Sequence, residues 1–398
     1  MRAFVKDSYD VVVAGAGPGG SRTAMKLAEL GHSVLLLEKR QEIGAPKRCA
    51  EGLTLTAVDI MGDIPQNCKM REIVGAKVYS PDGNSVLVHY GKHGGYCLER
   101  KQFDKWLACE ASRAGATVLA NSEVTDVIKE GGRVKGVKAR ICGEDEIEIM
   151  SSVVVAADGI ESTISRKAGL DTTNSLVNVD SGFQYEMSNL HMEDPDKIIL
   201  YFGNDIAPRG YVWIFPKGKD VANVGIGTAL SEKSAKHYLD RFIESHPEIF
   251  KDAGIVEVNS GGIPVGGFLR DMVLDGFLAV GDAAHQVNPI HGGGLKEASV
   301  AAEIAAKVIH RALMEGDVSH DSLSEYNDLW WKERGERLKK VEKLRQVTEK
   351  LSDKDLNMLA KSLTSDVLIG LTRGSKMGTL AKVLMKNPRL IGIARHLF

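Results

Sequence analysis

The feature that most constrains this chain is a glycine-rich turn, Gly15-x-Gly17-x-x-Gly20, placed between a strand pattern and a helix pattern. The Val-rich run over residues 9–14 predicts a buried strand, and the apolar spacing over residues 21–30 predicts a helix. Gly15 permits a tight turn, Gly17 lets the backbone approach a pyrophosphate, and Gly20 allows the helix to pack closely. The turn therefore predicts a Rossmann-type βαβ unit that binds a nucleotide on free N–H groups at the helix start.

The next predicted strand, residues 34–38, ends in a carboxylate, Glu38. It follows the glycine turn by about 20 residues, where an acidic side chain accepts both ribose hydroxyls of a dinucleotide. A carboxylate at this position also repels the 2′-phosphate of NADP. The strand, helix and acid together favour nucleotide binding over a glycine turn that merely packs.

Two more glycine-marked segments follow apolar strand patterns later in the chain. They are Asp158-Gly159 and Gly281-Asp282, the second followed by a triple glycine at residues 292–294. Taken in this order, the three segments indicate one large bound flavin, FAD. Asp282 is predicted to accept a hydroxyl of the ribityl chain, and the amides near Gly293, Gly294 and Leu295 to face the pyrimidine edge, the alternative being an ordinary structural turn. Redox chemistry is then carried by the cofactor.

Composition excludes several other classes of protein. The net charge is −2, which gives no case for nucleic acid as a partner. The five cysteines form no CxxC pair, so we expect a reducing cytoplasm and no metal site. No uncharged apolar run reaches ~18 residues, so we expect no membrane-spanning helix. A strand pattern within ten residues of the N-terminus leaves no room for a signal peptide.

The charge is unevenly distributed. Residues 331–398 hold 16 Lys and Arg against 7 Asp and Glu. One interpretation is a solvated helical surface. The other is attraction to anionic lipid headgroups or to a phosphorylated substrate.

We predict an α/β chain with three regions. A discontinuous FAD-binding domain comprises residues 1–169 and 271–318, including an irregular excursion over residues 40–65. Residues 170–270 alternate apolar and polar positions, which predicts an antiparallel-sheet substrate domain. Residues 319–398 have helical periodicity and form a helical C-terminal region.

Two further segments carry a resemblance to a known family. Residues 48–52 read Arg-Cys-Ala-Glu-Gly, and residues 211–216 read Tyr-Val-Trp-Ile-Phe-Pro, followed by a Gly-x-Gly at 225–227. Together with the glycine motifs, they resemble the geranylgeranyl reductase branch of the flavoproteins of para-hydroxybenzoate hydroxylase type. The resemblance covers nearly the whole chain and implies the fold of that superfamily.

The resemblance also implies a set of FAD contacts. Besides Gly15, Gly17 and Gly20, the implied contacts are Gly19, Glu38, Cys49, Ala50, Gly52, Arg100, Val124, Asp282, Gly294 and Leu295. The Arg100 guanidinium is expected to meet the pyrophosphate, the alternative being a solvated surface arginine.

Cys49 has two interpretations: a catalytic thiol beside the flavin, or a small buried filler. Tyr211, Trp213 and Phe215 share one face of a strand. They predict either the wall of a cavity for a prenyl chain or ordinary core packing.

The activity implied is reduction of C=C bonds in geranylgeranyl chains, as in archaeal digeranylgeranylglycerophospholipids or geranylgeranyl diphosphate. The alternatives are an FAD-dependent monooxygenase acting on an aromatic or lipid ring, and a prenyl-lipid carrier without catalysis. Hydroxylases of the superfamily usually carry Asn where this chain has Lys296, which weakens the monooxygenase hypothesis. The electron donor is expected to be NAD(P)H or a ferredoxin-like protein. We expect a peripheral location at the inner face of the cell membrane. The proton source stays open, with His285 and His291 as candidates unless they are simply solvated.

Overall fold

The computed structural model describes residues 5–91, 94–386 and 390–391. The strands in chain order are β1 (Ser8–Ala14), β2 (Val34–Leu37), β3 (Gly52–Thr54), β4 (Lys69–Glu72), β5 (Gly75–Tyr79), β6 (Ser85–His89), β7 (Gly95–Leu98), β8 (Thr117–Leu119), β9 (Glu123–Glu130), β10 (Arg133–Arg140), β11 (Glu146–Ala156), β12 (Val179–Ser188), β13 (Lys197–Phe202), β14 (Tyr211–Pro216), β15 (Ala222–Thr228), β16 (Gly254–Pro264), β17 (Val273–Leu274) and β18 (Phe277–Ala279). The helices are α1 (Pro18–Glu29), α2 (Leu55–Met61), α3 (Arg100–Arg113), α4 (Thr163–Ala168), α5 (Ala235–Glu244), α6 (Pro247–Phe250), α7 (Leu295–Glu315), α8 (His320–Leu323), α9 (Glu325–Trp330), α10 (Glu336–Thr348), α11 (Asp353–Ser362), α12 (Ser365–Thr372) and α13 (Met377–Met385). Residues 387–389 and 392–398 of the predicted C-terminal region lie outside the described residues.

The first sheet has a parallel centre in the order β18-β11-β1-β2-β8. Strand β17 pairs antiparallel with β18, and β9 and β10 form a meander on the first half of β11. Its central strands contain continuous apolar runs, such as residues 11–13 and 153–155, that are fully buried. Such runs are typical of parallel strands covered on both faces. The predicted α/β class with a Rossmann-type start is confirmed.

The turn between β1 and α1 depends on its glycines. Gly15 has a φ of +105°, and a Cβ there would lie 2.4 Å from the carbonyl oxygen of Ala157. A Cβ on Gly20 would lie 1.9 Å from the carbonyl oxygen of Gly15. Both positions therefore exclude a side chain, because the strand, turn and helix backbones approach one another too closely.

The second sheet has the order β16-β12-β15-β14-β13-β5-β6 and is antiparallel except where β5 pairs with β13. Helix α5 packs on one face of this sheet, over a core that includes Val212, Val224 and Leu239. The predicted division of the chain placed residues 75–89 with the first domain, but the β5–β6 hairpin belongs to this sheet. Local periodicity predicts a strand without naming its partner, and β13 lies more than 100 residues later.

A third, three-stranded sheet has the order β3-β7-β4. Strand β3 and α2 lie in the excursion over residues 40–65, which the sequence predicted to be irregular, and β4 and β7 lie in the chain after it. That prediction was wrong for residues 52–61. Strand β3 has only three residues, and α2 fully buries only Ala57 and Met61, so neither produces a periodic pattern of useful length.

Helices α8–α13 form the C-terminal region, as predicted. An apolar stripe along this region is buried throughout, at Leu338, Val341, Leu344, Val347 and Leu351. Its last helices pack in a separate apolar cluster that also contacts Ile290, just before the triple glycine. The C-terminal region is thereby attached to the late glycine loop. Among the described helices, none has the length and apolarity needed to cross a bilayer.

Candidate active site

The three glycine-marked segments meet at the carboxyl ends of β1, β11 and β18. Gly15 lies against Ala157, at the start of the second segment. Gly19 is buried in the first turn of α1, and a Cβ there would lie 3.6 Å from Val280 and 3.9 Å from Gly281 in the third segment. Segments separated by more than 100 residues therefore form one surface at the sheet edge where open α/β folds bind ligands.

Gly17 differs from its neighbours because its surroundings are open. A Cβ on Gly17 would meet no described protein atom within 4 Å. Helix α1 starts beside it without a side-chain cap and without an acidic residue in its first turn. The N–H groups of this turn are left for an anion, and the open space accommodates it. The residues present thus fit the pyrophosphate of a dinucleotide.

The Glu38 carboxylate is held beside this turn by two backbone groups. Its Oε2 accepts the N–H of Ala16 at 3.0 Å, and its Oε1 accepts the N–H of Arg40 at 3.0 Å. A carboxylate has about four acceptor positions, so two remain for ribose hydroxyls. Val124, on the neighbouring part of β9, packs partly buried against the core of the first sheet.

Arg100 begins α3 and forms a two-pronged ion pair with Asp104, with Nε and Nη2 each 2.9 Å from a carboxylate oxygen. Burial lowers the pKa of Arg100, but Asp104 and the neighbouring Cys49 raise it well above its usual value. Burial raises the pKa of Asp282, whereas the nearby Arg100 lowers it. Arg100 is therefore not a solvated surface side chain, and its backbone N–H donates to Glu51, in the loop after Cys49, at 2.7 Å.

The loop around Cys49 is fixed by hydrogen bonds. The Cys49 sulfur accepts a hydrogen bond from the N–H of Glu51 at 3.2 Å. The backbone carbonyl of Cys49 accepts one from the side-chain amide of Gln184 at 3.1 Å. The Glu51 backbone has a φ of +74°, which a non-glycine residue adopts only at some cost. Such strain is commonly found at functional sites.

The residues that follow Cys49 lie directly against the second sheet. The carbonyl of Ala50 accepts a hydrogen bond from Asn223 at 3.3 Å. A Cβ on Gly52 would lie 2.7 Å from the ring of Phe215, so only glycine allows this approach. The predicted flavin segment and the predicted substrate strand are therefore in contact.

Tyr211, Trp213 and Phe215 alternate along β14 with Val212 and Ile214. The two aliphatic residues are fully buried in the core under α5, so the three aromatic residues lie on the opposite face. This is the face that contacts residues 49–52.

Trp213 is held in place on that face. Its indole N–H donates to Gln184 at 2.9 Å, the same residue that bonds the Cys49 carbonyl. A Cβ on Gly225 would lie 2.5 Å from the indole ring. Gly225, the first glycine of the Gly-x-Gly motif, therefore leaves the space that the Trp213 ring occupies.

The late loop closes the other side of this region. A Cβ on Gly294 would lie 2.8 Å from Oδ1 of Asp282, which fixes glycine beside that carboxylate. The Tyr211 hydroxyl donates to the carbonyl of His291 at 3.0 Å, joining the loop to the aromatic strand. Leu295 starts α7 and packs partly buried against the apolar cluster beneath β3 and α3.

The two histidines considered as proton sources differ. The expectation of a solvated side chain is wrong for His285, which is buried with its ring nitrogens 2.6 and 3.1 Å from the carbonyl oxygens of Gly267 and Thr172. His291 is exposed, and its Nδ1 accepts the N–H of Gly293 at 3.1 Å. Groups of His, Cys, Asp and Glu able to hold a metal ion are absent from the described residues.

Comparison with known families bears on both halves of this site. Residues 10–174 match the model of the FAD-dependent oxidoreductases, and residues 178–263 match that of the geranylgeranyl reductase catalytic domain. The chain is 40% identical over 394 residues to a digeranylgeranylglycerophospholipid reductase of Methanothrix thermoacetophila, covering 98% of this chain and 99% of that one. The chain belongs to the geranylgeranyl reductase family of FAD-dependent oxidoreductases.

Another relative, digeranylgeranylglycerophospholipid reductase 2 of Methanopyrus kandleri, is 41% identical over 398 residues, covering 98% of this chain and 99% of the relative. A solved geranylgeranyl bacteriochlorophyll reductase-like protein of Thermoplasma acidophilum has a TM-score of 0.89 at 34% identity, covering 98% of this chain and 99% of that one. A flavin-dependent brominase with a TM-score of 0.74 at 21% identity shares the fold alone. Membership of the geranylgeranyl reductase family implies a flavin cofactor.

One part of this candidate site was not found from the sequence. Lys47, Glu51, Glu186 and Lys217, called here the buried charge cluster, lie between the Cys49 loop and the second sheet. Lys217 contacts Glu51 at 2.8 Å and Glu186 at 2.9 Å, and Lys47 pairs with both carboxylates. The side chains of Lys47, Glu51 and Lys217 are at most 1% exposed.

The sequence held a signal for part of this cluster. Lys217 continues the alternation of Tyr211, Trp213 and Phe215, which puts it on the same face of the second sheet. A lysine on a face predicted to be apolar indicates either a buried partner or the end of the apolar region. The position of Lys47, by contrast, depends on the long-range contact of the Cys49 loop, which no local pattern contains.

Proposed function

We propose that this protein is an FAD-dependent reductase that saturates C=C bonds of the geranylgeranyl chains of digeranylgeranylglycerophospholipids. The observation that carries the proposal is the 40% identity, along almost the full length of both chains, with a protein named for that activity. Geranylgeranyl diphosphate, which has the same chain, is a second candidate substrate. The biological role is then synthesis of saturated archaeal membrane lipids.

FAD is the flavin in this proposal. A dinucleotide is needed to reach both the glycine turn with Glu38 and the Cys49 and late glycine loops. Its pyrophosphate binds at Gly15, Gly17, Gly19 and Gly20, and its ribose binds Glu38. The remaining residues proposed to hold FAD are Cys49, Ala50, Gly52, Arg100, Val124, Asp282, Gly294 and Leu295. The open space at Gly17 and the uncapped start of α1 support this assignment. When bound and reduced, FAD supplies the hydride.

The prenyl chain is proposed to lie along Tyr211, Trp213 and Phe215. These rings face the Cys49 loop rather than the core under α5, which favours a substrate wall over simple packing. An isolated alkene is a poor hydride acceptor, so hydride and proton must arrive nearly together in a site that excludes water. Cys49 lies at the junction of the two proposed binding regions, which favours a catalytic thiol beside the flavin over a buried filler.

The lipid substrate suggests a peripheral position at the inner face of the cell membrane, with the basic C-terminal region toward the headgroups. The cationic excess of residues 331–398 supports this orientation. Electrons are proposed to come from NAD(P)H or from a ferredoxin-like protein. The sequence has one clear Gly-x-Gly-x-x-Gly motif, and the proposal assigns it to FAD. A separate NAD(P)H-binding domain is therefore not proposed.

An anaerobic experiment tests the proposed function. The purified flavoprotein is reduced with dithionite, a geranylgeranyl lipid is added, and the flavin absorbance and the lipid mass are followed. The expected result is reoxidation of the flavin together with the gain of two hydrogen atoms per reduced bond. The fully saturated lipid is the control and should leave the flavin reduced.

Three outcomes would contradict the proposal. A flavin that stays reduced with every geranylgeranyl lipid rules out the reductase. Oxygen consumption with a hydroxylated product identifies a monooxygenase instead. A colourless protein that binds prenyl lipid but no FAD identifies a carrier.

A further inference from the structure

Asp180 lies on the same face of β12 as Gln184, since residues four apart in a strand point the same way. Gln184 bonds both Trp213 and the Cys49 loop, so this is the face of the proposed site. A Cβ on Gly227 would lie 3.6 Å from Oδ2 of Asp180 and 3.7 Å from the Trp213 ring. The Asp180 carboxyl therefore lies beside the aromatic wall.

This carboxyl is buried without a full set of partners. Asp180 is 9% exposed, and its Oδ1 is buried with no hydrogen-bond donor in the described part of the chain. A buried polar atom without a partner costs free energy in the folded state. A group retained at that cost, on the face of a proposed active site, indicates a chemical role.

The charged groups around Asp180 are engaged elsewhere. Arg345, on α10, donates to the carbonyl of Val177 and to the side chains of Asn178 and Glu349. Arg209, in the loop before β14, pairs with the same Glu349. Both cations therefore pair with Glu349, and neither forms an ion pair with Asp180 within 4 Å among the described contacts.

Burial raises the pKa of Asp180 to about 6, with Glu349 raising it and Arg345 and Arg209 lowering it. Tyr211, on β14, is a further titratable neighbour of Asp180. Burial together with the Asp180 charge raises the pKa of Tyr211 well above its usual value. An apolar chain placed beside Asp180 would displace water and raise the pKa of the carboxyl further. Asp180 can therefore carry a proton near neutral pH, in the range suited to a general acid.

Other candidate donors on this face are less suitable. The Tyr211 hydroxyl already donates its proton to the His291 carbonyl. His285 has both ring nitrogens against the backbone carbonyls of Gly267 and Thr172. The buried lysines Lys47 and Lys217 are paired with carboxylates. Of these groups, the Asp180 carboxyl is the acid that has both a buried unpaired oxygen and an aromatic neighbour in the proposed substrate wall.

We propose that Asp180 is the proton donor for reduction of the prenyl C=C bond, an inference that rests on the proposed function. In this step the O–H bond of the Asp180 carboxyl breaks and a C–H bond forms at one alkene carbon. The other alkene carbon receives the hydride, with its two electrons, that the reduced flavin supplies. Asp180 is left as a carboxylate and regains a proton from solvent before the next bond is reduced.

The test uses the FAD-loaded protein, reduced anaerobically and mixed with a geranylgeranyl lipid, with flavin reoxidation followed against pH. Asp180→Asn should slow reoxidation by about 10²- to 10⁴-fold, the usual contribution of general acid catalysis. At subsaturating lipid the wild-type rate should fall as pH rises through about 6, and at saturating lipid the fall should move to higher pH; this dependence should be absent in Asp180→Asn. Ser181→Ala, one residue along the strand with an exposed side chain, is the matched control and should resemble the wild type.

Two further measurements do not depend on turnover. The infrared difference spectrum of the protein between pH 4 and pH 8, a range spanning the shifted pKa, should contain a carboxyl C=O band that Asp180→Asn lacks. Glu349→Gln removes an anion that raises the pKa of Asp180, so it should move the fall in rate to lower pH. Asp180→Glu should recover part of the rate, which separates a chemical role from a purely structural one.

The outcomes separate this inference from the function on which it rests. If the wild-type flavin is not reoxidised by any geranylgeranyl lipid, the proposed function itself fails. If the wild type is active and Asp180→Asn reoxidises at the same rate with the same pH dependence, Asp180 is not the proton donor. Should Asp180→Asn not fold, an unshifted pH profile in Glu349→Gln overturns the assignment.

Discussion

The indole ring of Trp213 lies against the backbone of Gly225, where an added Cβ would lie 2.5 Å from two ring carbons. The two residues are direct partners on β14 and β15. The absence of a side chain at Gly225 therefore lets a large ring lie flat on the sheet, on the face turned toward the Cys49 loop.

Gly225→Ala should displace Trp213, because the added methyl meets the ring rather than a flexible side-chain end. The expected cost is about 1 to 3 kcal/mol in the free energy of unfolding, as for overpacked sites. The intrinsic tryptophan fluorescence should shift as well, since the indole N–H loses its bond to Gln184. Gly218→Ala, whose Cβ would meet Val221 at an ordinary 3.7 Å, is the control. Unfolding curves that coincide for both variants would contradict the prediction.

The sequence predicted well those features that local geometry determines. Gly15 and Gly20 were identified because a tight turn and a close helix approach follow from the local strand–turn–helix pattern. The structure bears out both, through the φ of +105° at Gly15 and the approach of Gly20 to the Gly15 carbonyl, whereas the contact of Gly15 with Ala157 is long-range. The shared face of Tyr211, Trp213 and Phe215 also followed from strand periodicity alone.

The features that the sequence did not predict depend on distant partners. The β5–β6 hairpin joined the second sheet through β13, and Lys47 joined the buried charge cluster through Glu186, 139 residues away. In the sequence, Asp180 is an ordinary polar position in a strand pattern, and nothing local predicts that its carboxyl is buried. The charges that act on it, Arg345 on α10 and Glu349 just after that helix, lie more than 160 residues further along the chain.

Gly17 and Gly15 should respond differently to the same substitution. Gly17→Ala meets no protein atom within 4 Å, so the protein without FAD should keep its stability to within about 1 kcal/mol. The methyl group would occupy the space proposed for the pyrophosphate, weakening FAD binding by at least about 1.4 kcal/mol, or tenfold. Fluorescence titration with FAD and thermal unfolding without FAD measure the two effects.

Gly15→Ala provides the contrast within the same turn. Its φ of +105° and the 2.4 Å approach to the Ala157 carbonyl should destabilise the protein itself, by about 1 to 3 kcal/mol or more. Equal loss of stability in the two variants would mean that Gly17 has a packing role after all.

Lys217→Met should be strongly destabilising. The substitution leaves Glu51 buried beside Glu99 and Glu186 with one cation fewer, and the loss of one partner of a buried ion pair commonly costs about 3 to 5 kcal/mol. Urea unfolding measures the difference, and Lys219→Met, at an exposed position two residues later, is the control. A change below about 1 kcal/mol, as for surface ion pairs, would show that water reaches the cluster.

The stability of the FAD-free protein should depend on pH through Asp180. Its pKa is raised from 3.8 to about 6 on folding, so the folded state holds the proton more tightly than the unfolded state. This contribution is fully present below pH 3.8 and is lost as pH rises to about 6, a change of about 3 kcal/mol at 1.36 kcal/mol per pKa unit. Asp180→Asn cannot ionise, so its stability relative to the wild type should rise by most of that amount between pH 4 and pH 7. Urea unfolding at the two pH values measures the difference, and a constant gap between the proteins would place the Asp180 pKa near its ordinary value.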